Sequence, residues 1–173
     1  MKKIFFLLIV LFFNNINISN SEEKIVFIDL NFIFSNSVAG KDLNQQIKKS
    51  SESLNEKIKN FQKNIDLKKK ELLAQKNVIN PEDYKSKLFN FENDIKEINQ
   101  KISLENKNLK IFKSKVEKEF FKKLNVVIEE YSVDNSISII LKKNDLLMAK
   151  KELDITTDII NLFNEKVDKI SIN

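Results

Sequence analysis

The sequence contains no Cys, His, Trp or Arg, and only one Gly and one Pro among 173 residues. Each absence closes a class of function. Without Cys or His there is no thiol nucleophile, no Ser-His-Asp relay and no zinc site built on those ligands. A single glycine, Gly40, cannot form a glycine-rich phosphate cradle. Carboxylate catalysis remains formally open, so an enzyme is disfavoured rather than disproved, and neither metal nor cofactor is expected. The scarcity of turn residues has a structural meaning too. It implies few, long elements, and long elements without breakers are helices. With 32% charged and 42% hydrophobic residues the chain still has the means to fold.

The amino terminus sets the expected compartment. Lys2 and Lys3 precede ten apolar residues, Ile4 to Phe13, and an Asn-rich stretch follows. Spanning a bilayer takes about 20 residues, so this run is too short. A basic start, a short apolar run and a small-x-small site at Ser19-Asn20-Ser21 fit a secretory signal peptide over residues 1–21. The mature chain would begin near Glu22 and be exported. With no Cys to acylate, a lipoprotein anchor is not expected.

All 30 basic residues are Lys, set against 25 acids. They are unevenly spread. Residues 41–131 hold 21 Lys and 15 acids, whereas 22–40 and 132–173 together hold 7 Lys and 10 acids. The middle of the chain is basic and its two flanks are slightly acidic.

Periodicity divides the chain in the same places. Ile25-Val26-Phe27-Ile28 is an apolar run that reads as a strand buried on both faces. Leu30 to Phe34 reads as a short helical connector. From about Val38, Ile47, Leu54 and Phe61 recur every seventh residue, interleaved with Ile58, Ile65 and Leu72, which is a heptad seam. Lys68 and Gln75 continue it as polar members. Asn80-Pro81-Glu82-Asp83 then punctuates the chain: Asn80 can cap, Pro81 suits the first helical position, and the two acids favour the positive helix end.

The helix that starts there has a cleaner seam. Leu88, Ile95, Ile102, Leu109 and Val116 alternate with Tyr84, Phe91, Ile98 and Phe112, and Glu105 is the lone polar interruption. The spacing predicts an antiparallel coiled-coil hairpin over 41–131 with its turn near 77–81. A first helix of about 38 residues would reach roughly 55–60 Å.

Beyond it, Ile137 to Leu141 and Leu146 to Ala149 read as a strand pair turned at Asn144-Asp145. A helix should start near Asp154 or Thr156, either of which can cap it. Residues 22–40 and 132–173 would thus form a small β-rich body, and the fold class is α+β, mostly helical. Its strands read as buried on both faces, yet one terminal helix covers one face only. A further copy of the chain has to cover the other, which makes Ile25, Phe27, Ile137, Ile139 and Leu141 the candidate oligomerisation residues.

This order of features resembles the Skp/OmpH periplasmic chaperones. The stretches that carry the likeness are Lys24-Ile-Val-Phe-Ile-Asp-Leu-Asn31 with Ser37-Val-Ala-Gly-Lys41, Val78-Ile-Asn-Pro-Glu82, Ser136-Ile-Ser-Ile-Ile-Leu141 with Leu146-Leu-Met-Ala149, and Asp154-Ile-Thr-Thr-Asp-Ile159. Family members often have Asp and Tyr where this chain has Lys142 and Met148, and they mix Arg into arms that here hold only Lys. No Arg-containing lipopolysaccharide site is therefore carried over. The resemblance implies a homotrimer with three helical arms around a cavity. It also implies a periplasmic, ATP-independent holdase for unfolded outer-membrane β-barrel proteins.

Lys63, Lys68, Lys69, Lys70, Lys76, Lys85 and Lys87 gather toward the turn of the hairpin. They are the candidate contacts for client chains or an anionic lipid surface, although a charge run is usually a solvated face. Asp29 reads more simply as a strand-end cap than as a site carboxylate. A periplasmic coiled-coil spacer or adaptor without chaperone activity would share leader, heptads and body. A nucleic-acid partner is not expected, because the leader, the lack of Arg and the modest charge all oppose it.

Overall fold

A computed structural model of the protein describes residues 23–172. The expected leader, 1–21, lies outside the described residues. In chain order the elements are β1 (Lys24–Ile28), α1 (Leu30–Asn36), α2 (Val38–Gln75), α3 (Pro81–Asp134), β2 (Ile137–Lys142) and α4 (Thr156–Lys166). Short 3-10 turns occupy Lys143–Asp145 and Lys151–Leu153. The molecule is mostly helical, with one small sheet.

The helix boundaries follow local chemistry. The Asp29 carboxylate accepts from the Phe32 amide at 2.9 Å and caps α1, so the residue that ends the strand also starts the helix. Ser37 is extended and caps α2 by accepting from the Gly40 amide at 3.2 Å. Asn80 caps α3 through the Asp83 amide at 2.8 Å, with Pro81 first in the helix and Glu82 and Asp83 in its first turn. Neither residue expected to cap α4 does so. Ile155 holds the cap position without a side-chain bond; Asp154 accepts from the Thr156 amide in a local turn, and Thr156 begins the helix.

α2 and α3 lie side by side. Lys57 meets Glu105, Lys68 meets Asp94 and Gln75 meets Lys87. As the α2 member advances along the chain the α3 member retreats, so the helices run in opposite directions. Most of the apolar heptad positions lose solvent, although Leu88 stays exposed. Leu54 and Leu72 are buried and Ile58, Phe61, Ile65, Phe91, Ile95, Ile98, Ile102 and Leu109 are partly buried, while the residues between them are mostly exposed.

The core sits where the ends of α2 and α3 meet the sheet. Val26, Ile28, Ile33, Leu43, Val116, Phe120, Leu124, Ile159 and Phe163 form one buried cluster, with Phe120 edge-on to both Phe34 and Phe163. Side chains from all four helices therefore converge on one face of the sheet. Gly40 permits the tightest approach: a β-carbon there would lie 1.9 Å from the Phe34 carbonyl oxygen.

Two expectations for this body need correction. The sheet has two strands, β1 parallel to β2, and Leu146 to Ala149 adds none among the described residues. After β2 the chain makes its 3-10 turn and runs outward, leaving Leu147 and Met148 fully exposed. The core partners of the sheet are helices, so the body is not β-rich. Within the single chain one face of the sheet is left open, with Ile25, Ile139 and Leu141 about 40% exposed.

Candidate functional site

Two surfaces hold the residues of interest, one on the sheet and one near the α2–α3 turn. On the sheet, Ile25 pairs with Ile139, and Phe27 with Leu141. Alternation puts these four on the face opposite the core. Phe27 is covered by the returning chain, whose Asp154 bridges to it and whose Ile155 amide donates to its carbonyl. Ile25, Ile139 and Leu141 stay open. Ile137 parts from them because the pairing shifts by one residue between Lys24 and Ile25, so that Ile137 packs against the core. Period-two reading of the sequence could not find that shift.

The body behind this face is pinned by polar contacts. The Asp29 amide donates to the Thr156 hydroxyl at 2.9 Å, and the Lys143 ammonium lies 3.4 Å from the Asp29 carboxylate. Thr156 is a buried polar residue whose oxygen is thereby satisfied. Tyr131 donates to Asp158 at 3.1 Å, and Lys166 reaches Glu130, which ties α4 to the end of α3. Burial, and then the bond to the Asp158 carboxylate, push the Tyr131 hydroxyl above the usual phenol range.

The seven candidate lysines divide by helix face. Lys68 forms a 2.6 Å ion pair with Asp94, and Lys87 donates to Gln75, so both are committed across the seam. Heptad spacing puts Lys63 and Lys70 on the outer face of α2 and Lys69 on its flank, and Lys76 is its C-cap. All four are exposed, as is Lys85 in the first turns of α3. Exposed apolar residues lie among them: Leu67, Leu73, Val78 and Phe89. The Lys57–Glu105 pair explains the polar interruption in the α3 seam, since its partner faces it from α2 at 3.3 Å. Sequence reasoning placed Glu105 at the seam but had no means of naming Lys57.

Among the described residues, no group of three or more acidic side chains is placed to hold a metal ion. No described helix is long and apolar enough to cross a membrane. What the two surfaces present to solvent is exposed apolar side chains bordered by exposed ammonium groups.

Comparison with known proteins gives this arrangement a context. The profile of the family described as outer membrane protein (OmpH-like) matches residues 24–163. A crystal structure of a candidate outer membrane chaperone (OmpH-like) from Caulobacter crescentus CB15 is similar at TM-score 0.80 and 16% identity, over 87% of this chain and 89% of that one. At that identity the likeness is one of fold. No curated protein matches by sequence.

Proposed function

This chain belongs to the OmpH-like outer membrane protein family, and from that premise we propose that it is an ATP-independent holdase for unfolded outer-membrane β-barrel chains in the periplasm. The supporting observation is the pair of long helices, 38 and 54 residues, which bury few side chains fully along their common length. They present apolar residues and lysines over a long surface. A holdase needs nothing more, because binding the unfolded chain lowers its free concentration by mass action. Lysine-rich arms suit clients of net negative charge.

The reading has four further parts. The leader over 1–21 exports the chain and is removed near Ser21. Residues 22–40 and 132–173 form an oligomerisation body, from which the hairpin 41–131 projects. Three copies associate through the open sheet face, where Ile25, Ile139 and Leu141 await a partner; the exposed Leu147 and Met148 support this, since a lone chain gains nothing by leaving them in water. Lys63, Lys69, Lys70, Lys76 and Lys85 near the turn contact client or anionic lipid, while Lys68 and Lys87 serve mainly to hold the helices together.

The test is to dilute a urea-denatured barrel protein with and without the exported chain, and to follow light scattering alongside the mass of the assembly. Suppressed scattering by a trimer is the expected result. Full aggregation in the presence of a well-folded assembly would leave the spacer reading in its place.

A further inference from the structure

A further concentration of positive charge lies away from the turn. Between Lys107 and Lys123, α3 carries seven Lys and two Glu. At 100° per residue, Lys107, Lys115, Lys118 and Lys122 fall within an arc of about 100°. Leu104, Ile111 and Val126 fall on the same arc, at 58%, 55% and 60% exposure. The seam residues Leu109 and Val116 point to the opposite side, so the arc faces away from α2. All four lysines are exposed, and among the described residues none has an ion-pair partner. Of the acids of this region, Glu105 and Glu117 lie well off the arc and Glu119 flanks its edge, about 20° outside it.

We propose that this α3 face, from Leu104 to Val126, is a docking stripe for one extended, acid-bearing segment of a client chain. The inference rests on the holdase reading and names the place and the chemistry of capture. Twenty-two residues of helix rise about 33 Å, and an extended segment covers that distance in about 10 residues. A barrel strand has 9–11 residues with apolar side chains at alternate positions. Leu104, Ile111 and Val126 offer three apolar footholds along it. The lysines between them meet carboxylates on the polar positions.

The spacing argues against the other occupants. The apolar residues stand about 10 and 22 Å apart along the axis, too sparse for the continuous apolar face with which a helix lies in a bilayer surface. A second copy of α3 would bring lysine against lysine. An acid-bearing chain is the partner that both parts of the stripe fit.

The experiment uses the exported full-length assembly and a fluorescein-labelled ten-residue peptide alternating valine and glutamate. A valine-lysine peptide and vesicles containing phosphatidylglycerol serve as counter-probes. Wild type should bind the acidic peptide and not the basic one. K107Q/K115Q/K118Q/K122Q should lose about tenfold in affinity at low salt and much less at high salt. L104Q/I111Q/V126Q should lose about threefold or more at either salt. The charge-matched control K41Q/K48Q/K49Q/K59Q, on α2, should stay within about twofold of wild type. Circular dichroism checks that each variant keeps its helices; the two stripe variants are independent, so one misfolded variant leaves the other to decide. Equal losses in the α2 control, or wild-type affinity in both stripe variants, would overturn the stripe. Lost vesicle binding with the peptide still bound would overturn it in favour of a membrane contact. Wild type that binds the peptide through the stripe yet fails to hold a diluted barrel chain would refute the holdase reading and leave the stripe standing.

Discussion

Replacing Gly40 with Ala sets two effects against each other. Alanine stabilises a helix interior by about 1 kcal/mol relative to glycine. Here its β-carbon would stand 1.9 Å from the Phe34 carbonyl oxygen and 2.7 Å from the Ser37 hydroxyl oxygen, where ordinary contact begins near 3.4 Å. Neither obstacle is the loose end of a side chain. The carbonyl is main chain in the last turn of α1, and Ser37 is fully buried and caps α2.

Relieving the overlap means moving α1 and α2 apart by roughly 1.5 Å, within a core where Ile33, Ala39 and Leu43 have no exposed surface. Overpacking of this kind costs about 1–3 kcal/mol, and loss of the cap about 0.5–2 more. After the propensity gain the net destabilisation is about 0.5–4 kcal/mol. Urea unfolding followed by circular dichroism, at one fixed protomer concentration, reads it as a lower midpoint at similar slope. Removing the Ser37 hydroxyl as well, in S37A/G40A, should not restore stability, because the Phe34 carbonyl still blocks the β-carbon. A G40A midpoint equal to or above wild type would refute the close-approach reasoning.

Three other outcomes follow from the same geometry. Ile139→Asp puts a charge on the open sheet face; the assembly should fall to smaller species in a mass measurement while the helical signal is largely kept, and an intact trimer would move the interface elsewhere. K68Q/K69Q/K70Q removes one seam ion pair and two solvated charges, so stability should change by about 1 kcal/mol or less, and client association should slow at low salt only; identical low-salt rates would reduce these lysines to solvated surface. Tyr131 has its proton held more tightly in the folded state than in the unfolded state. Its contribution is therefore full below the ordinary phenol value of about 10 and is lost as pH rises through the higher folded value. Wild type should lose stability faster than Tyr131→Phe in that alkaline window, and parallel pH profiles would contradict the assignment.

Several features of the protein were legible in the sequence because their causes are local or periodic. Asn80 and Pro81 act within one turn of themselves, so the start of α3 could be placed to the residue. The seven-residue repeat identified the partly buried positions of α2 and α3, because helical geometry turns a spacing into a face. The absence of Cys and His excluded thiol nucleophiles and histidine relays without any structure, and left carboxylate chemistry open. The α3 stripe is also a matter of spacing, but its meaning depends on which arc α2 leaves open.

What tertiary structure alone decided involves residues brought together from far apart. Lys57 faces Glu105 only once the register of the two helices is set, and nothing near either residue sets it. Ile137 leaves the face of Ile139 because the pairing with β1 shifts by one residue more than 100 positions away. The run Leu146 to Ala149 has strand composition, yet within a single chain no edge receives it, so Leu147 and Met148 stay in water. Gly40 looks dispensable in a helix until the Phe34 carbonyl is seen against it. Local sequence sets what each segment prefers; which preference prevails depends on neighbours that only the folded chain supplies.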